Sequence, residues 1–163
     1  MSDDFKINDA TYSGTKEVDQ NLKFDTNLLQ DWMHEYIPNC ESISSVEQFK
    51  GGQSNPTYKI LTKTDAYVLR RKPPGKLLPK AHAVDREYKV ISALEETDVP
   101  VPKTFGLCDD HDVVGTPFFM MEFVEGKVFW DHLLPSCSKT ERAQIYRNKN
   151  RVIAALHLSL IHI

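Results

Sequence analysis

Hydrophobic residues at two different spacings divide this 163-residue chain into an opening helix, several short strands and two further helices. Apolar positions recur every three or four residues over 28–36, which predicts an amphipathic helix that Asp25 or Thr26 caps and Pro38 ends. Residues 1–24 are polar and aperiodic, and we predict that they form a flexible leader.

The middle of the chain is rich in β-branched and aromatic residues between polar or glycine-containing turns, a pattern that predicts an antiparallel meander. A basic, proline-bearing loop (72–80) and a helix from about His82 to Glu96 interrupt the series. An acidic turn from Asp109 to Gly115 separates the last two strands. The predicted strands cover residues 43–49, 58–61, 66–71, 105–108 and 116–124.

A capping box predicts the start of the last helix. Ser138 occupies the N-cap position and Glu141 follows three residues later, so each side chain can bond the other residue's backbone N–H. The apolar residues after it predict a long helix that continues to Leu156 and beyond.

Charge and cysteine content narrow the class of protein. The 20 basic and 23 acidic residues give a net charge of −3, which argues against general binding to nucleic acid or anionic membranes. The three cysteines form no C-x-x-C pair, so we expect reduced thiols in an intracellular protein. No secretory or mitochondrial signal and no apolar run of spanning length is visible, so we expect no transmembrane segment.

Three features fall where a phosphate-binding lobe needs them. The glycine-rich turn 51–55 can bring backbone N–H groups close to an anion, although a plain hairpin turn explains it equally well. Alternation along the third strand places Val68 and Arg70 on one face. Glu87, on the following helix, can hold that arginine as a lysine–glutamate pair does in kinases. A snorkelling arginine and a solvated glutamate are the alternatives.

The apolar strand that ends near Glu122 runs into an acidic segment closed by Gly126. This pattern is typical of a strand entering a hinge whose backbone pairs with adenine, and it also fits a buried strand stopped by glycine.

Several longer blocks make the whole stretch from about Phe49 to Val128 similar to one family. It resembles the aminoglycoside phosphotransferases, which are kinase-like proteins. More narrowly, it resembles the N-terminal kinase-like domain of acyl-CoA dehydrogenase family members ten and eleven. The blocks are Ser54-Asn55-Pro56-Thr57, the run from Tyr67 to Gly75, the run from Leu77 to His82, Asp85-Arg86-Glu87, Val99 to Lys103, and Met121-Glu122.

The resemblance implies an α+β fold: a protein-kinase-like N-lobe, with a five-stranded antiparallel sheet and one helix, a hinge and the first helix of a truncated C-lobe. Residues 25–121 would be the N-lobe and 122–163 the hinge and incomplete C-lobe, after the leader 1–24. It further implies ATP and Mg²⁺ as cofactors and phosphoryl transfer to a small-molecule hydroxyl, with 4-hydroxy acyl substrates in the full protein. The nucleotide-binding residues by this matching are Gly51, Gly52, Gln53, Ser54, Asn55, Arg70, Glu87, Glu122, Phe123 and Val124.

The sequence contains no catalytic loop of the H-x-D-x-x-x-x-N type, and the Mg²⁺ ligands that accompany it are also missing. We therefore assign no catalytic or metal-binding residue and expect no phosphotransferase activity from this chain alone. A non-catalytic module that binds nucleotide or a partner is the alternative. The relatives include mitochondrial and peroxisomal members, and the sequence carries neither signal.

Other charged clusters give weaker indications. The acidic run from Asp109 to Asp112 more simply forms a turn than a metal site. His82 and Arg86 lie near the phosphate side, where a solvated helix face explains them more simply than a phosphate contact. The basic residues between Arg70 and Lys80 lack the interleaved aromatics of a nucleic-acid surface.

Overall fold

In a computed structural model, which describes residues 13–51, 54–76, 78 and 81–159, these residues form one six-stranded antiparallel sheet flanked by helices. The strand order is β1-β2-β3-β4-β6-β5. The strands are β1 (Thr15–Lys16), β2 (Ser45–Phe49), β3 (Thr57–Leu61), β4 (Ala66–Arg71), β5 (Thr104–Cys108) and β6 (Phe118–Glu122). The helices are α1 (Thr26–Tyr36), α2 (Val84–Leu94), α3 (His111–Val114) and α4 (Lys139–Ser159), and a 3-10 turn covers Gln20–Leu22.

The predicted α+β class is confirmed, and β2, β3 and β4 form the predicted antiparallel meander. The last two strands do not continue it, because β6 lies between β4 and β5. Strand β1 is an addition that the sequence did not indicate. Thr15 and Lys16 pair with Phe49 and Gln48 at the sheet edge, within the stretch predicted as a flexible leader. That prediction is wrong for these residues, because a two-residue strand is too short to show a hydrophobic period. Residues 1–12 lie outside the described part of the chain.

Helix α1 covers one face of the sheet. Asp25 caps it as predicted, because its carboxylate accepts a 2.8 Å hydrogen bond from the N–H of Asn27. Leu29 and Met33 are completely buried. The ring of Trp32 packs edge-on against Phe118 with centroids 5.0 Å apart. This contact between a helix and a strand closes the main hydrophobic core.

Helix α2 covers the opposite face. Side chains alternate across a strand, so Phe119 points away from the α1 layer to which Phe118 belongs. Phe119 is fully buried, and its ring lies 6.1 Å from that of Tyr88 on α2. Strand β4 alternates in the same way, and it therefore sends two adjacent arginines, Arg70 and Arg71, into different layers.

Arg71 is the charged side chain buried in the α1 layer, where it is only 3% exposed. Its guanidinium donates to the hydroxyl of Tyr58 at 3.1 Å, to the carbonyl of Leu22 at 2.6 Å, and to the carbonyl of Val114. The guanidinium also lies 5.2 Å from the ring centroid of Phe24. It therefore joins β4 to the N-terminal segment and to α3, and its polar atoms are satisfied without an ion pair among the described residues.

The structure differs from the prediction at the start of α2 and in the acidic turn. Helix α2 begins at Val84 and not at His82, because His82 has a left-handed φ of 56° that no α-helix accepts. The acidic turn contains a one-turn helix, α3. Asp110 caps it by accepting a 2.8 Å bond from the N–H of Asp112, and Gly115 ends it at φ 88°.

The capping box of α4 is confirmed. The N–H of Ser138 donates to the Glu141 carboxylate at 2.7 Å, and the N–H of Glu141 donates to the Ser138 hydroxyl at 3.3 Å. These bonds to Ser138 hold the pKa of Glu141 below its usual value. In the part of the chain that is described, no helix is both long and apolar enough to cross a bilayer.

Gly106 is required for the close approach of α1 to β5. A Cβ at this position would lie 3.1 Å from Trp32 Cζ2 and 3.1 Å from Tyr36 Cδ1. We expect Gly106→Ala to lower the free energy of unfolding by about 1–3 kcal/mol, because the stacked rings must shift. Urea denaturation measures this. Gly126→Ala is the control, since a Cβ there meets no atom within 4 Å; equal losses in both variants would contradict the argument.

Replacing Arg71 by methionine should destabilise the fold. The substitution keeps much of the side-chain length, leaves the carbonyl of Val114 without its donor, and leaves the carbonyl of Leu22 with only the 3.3 Å bond from the Tyr58 hydroxyl. We therefore expect a loss of about 3 kcal/mol in the free energy of unfolding. Arg70→Met is the matched control, because the Arg70 side chain is 27% exposed and water can replace its contacts. A loss at Arg70 as large as at Arg71 would overturn this view of the buried guanidinium.

Candidate functional site

An open cleft of about 740 Å³ lies where the loop after β2, the end of β4 and the first half of α2 meet. Helix α2 contributes both charged side chains, Arg86 and Glu87, and apolar ones, Val90 and Ile91, while β4 contributes Arg70. The lining residues are Ser54, Asn55, Arg70, Ala81, His82, Ala83, Arg86, Glu87, Val90 and Ile91.

The pairing of Arg70 with Glu87, predicted from their spacing, is present. Arg70 Nε donates to Glu87 Oε2 at 2.5 Å, and a second contact from Nη2 to Oε1 measures 3.5 Å. The two side chains are 27% and 36% exposed. A half-exposed ion pair contributes little to overall stability. Its consequence is geometric, because it fixes a guanidinium at the edge of the cleft.

Thr57 is a third member of this group that the sequence did not reveal. It lies directly across from Arg70 in the β3–β4 pairing. Its hydroxyl accepts a 2.9 Å bond from Arg70 Nη1 and donates at 3.0 Å to the carbonyl of Asn55. Register brings these residues together, and register can be predicted only when the strand ends are known.

Asn55 and His82 also belong to this hydrogen-bonded group, and they connect it to the loop after β2 and to the segment before α2. Asn55 is 3% exposed, and its Nδ2 donates to Glu87 Oε1 at 2.9 Å. Its Oδ1 lies 2.9 Å from His82 Nδ1. The predicted solvated position of His82 on the helix face is therefore wrong, because the residue precedes the helix and its ring faces the end of the loop.

The predicted phosphate loop is described only in part. Gly51 is half-buried and Ser54 is exposed at the cleft. Gly52 and Gln53 lie outside the described residues. The role of residues 51–55 in binding phosphate therefore stays a prediction.

The predicted hinge begins where β6 ends. The N–H of Glu122 donates to the carbonyl of Lys103 at 2.8 Å, and Val124 is 62% exposed. The ring of Phe123 stacks on Phe49 at 6.3 Å between centroids, and Lys59 Nζ lies 3.9 Å from its centre. An aromatic and cationic surface therefore lies beside the proposed adenine position, which itself stays a prediction.

The cleft fits an anion better than it fits a metal ion. Arg70 and Arg86 bring positive charge to its lining, and its one described carboxylate, Glu87, is already bonded to Arg70 and Asn55. Across the described residues, no three His, Cys, Asp or Glu side chains group together as metal ligands. The described part of the cleft therefore presents positive charge and no set of Mg²⁺ ligands.

The sheet, the flanking helix α2 and the arginine–glutamate pair define a kinase-like phosphotransferase fold. A solved structure from Ralstonia eutropha JMP134, described as a "putative aminoglycoside phosphotransferase", superposes with a TM-score of 0.71 at 48% identity. The match covers 83% of this chain and 38% of that one. The model of the phosphotransferase enzyme family, APH, matches residues 45–160, so the chain belongs to that family.

The curated relatives are named as acyl-CoA dehydrogenase family members and not as phosphotransferases. Acyl-CoA dehydrogenase family member 11 of Rattus norvegicus is 43% identical over 152 residues, which is 91% of this chain and 20% of the relative. Acyl-CoA dehydrogenase family member 10 of Mus musculus is 44% identical over 110 residues, 68% of this chain and 10% of the relative. The chain thus spans a fifth or less of these relatives, and the resemblance seen in the sequence is confirmed.

Proposed function

We propose that this chain supplies the nucleotide-binding lobe of a small-molecule kinase. The observation that carries the proposal is the guanidinium of Arg70, held at the cleft by Glu87 and Thr57 in a chain of the phosphotransferase family. A fixed cation beside a glycine-containing loop suits the charge of a nucleotide's phosphates.

In this proposal Arg70 and the loop 51–55 hold the phosphates of ATP, and the backbone of residues 122–124 lies beside the adenine. Bound ATP supplies the phosphoryl group. Mg²⁺ would be held mainly by residues outside this chain, because the cleft's carboxylate, Glu87, is already engaged.

The acceptor we propose is the hydroxyl of a small molecule. The acyl-CoA dehydrogenase names of the relatives and the family resemblance favour a 4-hydroxy acyl substrate for the protein as a whole. The base that would orient this hydroxyl is not among the motifs of this sequence, and we therefore propose that binding, without turnover, is the activity of the 163-residue chain.

Titration of the purified chain with ATP in the presence of Mg²⁺ tests the proposal, with calorimetry and thermal unfolding as readouts. We expect saturable binding and a rise in Tm with nucleotide concentration. Arg70→Met should weaken binding about tenfold or more, since it removes a charge-assisted contact. Lys63→Met is the control, because it removes a cation from the turn at the far end of the same β3–β4 hairpin.

Arg70→Met that binds ATP as tightly as the unchanged chain would contradict the proposal. So would equal losses in Arg70→Met and Lys63→Met, because the effect would then report overall charge and not the cleft. A chain that does not bind ATP but unfolds cooperatively would favour the alternative, a module that binds a partner.

A further inference from the structure

Two side chains in the cleft, Asn55 and His82, are hydrogen-bonded to each other, and Asn55 is also bonded to Glu87. Asn55 ends the glycine-containing loop, and His82 lies two residues before α2 begins at Val84. Together they join the loop, the helix and the guanidinium of Arg70 through a continuous series of hydrogen bonds.

The chemistry of Glu87 fixes the direction of every bond in that series. An ionised carboxylate only accepts hydrogen bonds, so the Asn55 atom that faces Glu87 must be the donating Nδ2. The amide oxygen of Asn55 then faces His82 and needs a donor. Nδ1 of His82 therefore carries a proton, and in a neutral ring this hydrogen bond selects the Nδ1-protonated tautomer.

Because Asn55 is buried, this series of hydrogen bonds must satisfy its amide completely. Asn55 is 3% exposed, so its amide must find partners inside the protein. Its Nδ2 takes Oε1 of Glu87 and leaves Oε2 for Arg70 Nε. If Asn55 turned, Glu87 would lose the partner that fixes its Oε1, and Thr57 would be the remaining fixed contact of the guanidinium.

The backbone of His82 shows that this position is unusual. Its φ is 56°, a left-handed conformation that is unfavourable for a residue with a Cβ atom. Strain of this kind persists where the surrounding structure requires it and is concentrated at functional sites. At His82 the left-handed turn accompanies the hydrogen bond from the ring to Asn55, immediately before α2 begins at Val84.

We propose that Asn55 and His82 are positioning residues for Arg70. His82 orients the amide of Asn55, Asn55 orients Glu87, and Glu87 holds the guanidinium in the direction that receives a nucleotide's phosphates. The last step rests on the proposed function; the positioning of Arg70 does not. His82 does not need to touch the nucleotide for this role, and the affinity depends on it because a pre-oriented cation loses less freedom on binding.

Two substitutions at His82 separate the effect of the imidazole ring from the effect of the left-handed backbone conformation. Asparagine tolerates a left-handed φ, and its Nδ2 can replace the imidazole Nδ1 as donor, so His82→Asn should preserve the series. His82→Gly keeps the backbone conformation and removes the donor. Asn39→Gly is the matched control: Asn39 has the same φ of 56° but follows α1, in the layer on the other side of the sheet.

The first measurement uses the 163-residue chain without nucleotide. Nitrogen-15 NMR reports the ring tautomer of His82 and the hydrogen exchange of Arg70 Nε–H. We expect the Nδ1-protonated tautomer, and slow exchange at Arg70 that persists in His82→Asn and in Asn39→Gly. In His82→Gly the exchange should be about tenfold faster, as expected when a charge-assisted hydrogen bond loses its support.

The second measurement is the affinity for ATP with Mg²⁺. His82→Gly and Asn55→Asp should each bind about tenfold more weakly, the latter because a carboxylate cannot donate to Glu87. His82→Asn and Asn39→Gly should bind as the unchanged chain does. Thermal unfolding of all variants shows whether each one is folded at the temperature of the titration, which separates this effect from a loss of fold.

Slow Arg70 exchange and unchanged affinity in His82→Gly would overturn the inference. Equal effects in Asn39→Gly would overturn it as well, since they would reveal a general consequence of glycine. If Arg70 exchange follows the expected order while no variant and no unchanged chain binds ATP, the positioning stands and the proposed function fails.

Discussion

The pleat of β4 is the constraint on which this structure depends. Because neighbouring residues of a strand point to opposite faces, Arg70 and Arg71 cannot share an environment. Arg71 enters the α1 layer, where two carbonyls, a hydroxyl and aromatic ring faces replace its water. Arg70 emerges at the cleft beside α2. One residue of slip in the register of β4 would exchange the two guanidinium groups and abolish both sites.

The buried guanidinium also explains why the N-terminal segment is part of the domain. Desolvating a charge is unfavourable unless hydrogen bonds compensate for it. Part of that compensation comes from the carbonyl of Leu22, which lies far from Arg71 in the sequence. The segment that holds β1 and α1 therefore completes a core that the rest of the sheet leaves open, and the Trp32–Phe118 contact closes the same layer.

The cleft differs from the buried core in that its polar side chains hold one another in place. Five separate parts of the chain contribute to it: the loop end at Asn55, Thr57 on β3, Arg70 on β4, His82 before α2, and Glu87 on α2. Each bond is modest by itself, and their linkage in a partly buried network gives them a common orientation. Such pre-organisation is what the proposed binding of phosphates requires.

The sequence by itself determined the elements and the family. Periodicity placed α1, the five main strands and α4. The capping box at Ser138 and Glu141 could be recognised in the sequence because capping depends only on neighbouring residues. The Arg70–Glu87 pair followed from the strand period and the family resemblance. Only the tertiary structure decided the partners of Arg71, the pairing of Thr15 and Lys16, and the bonds from Thr57, Asn55 and His82. These depend on register and on one left-handed residue, which no local pattern encodes because the contacts join segments distant in the chain.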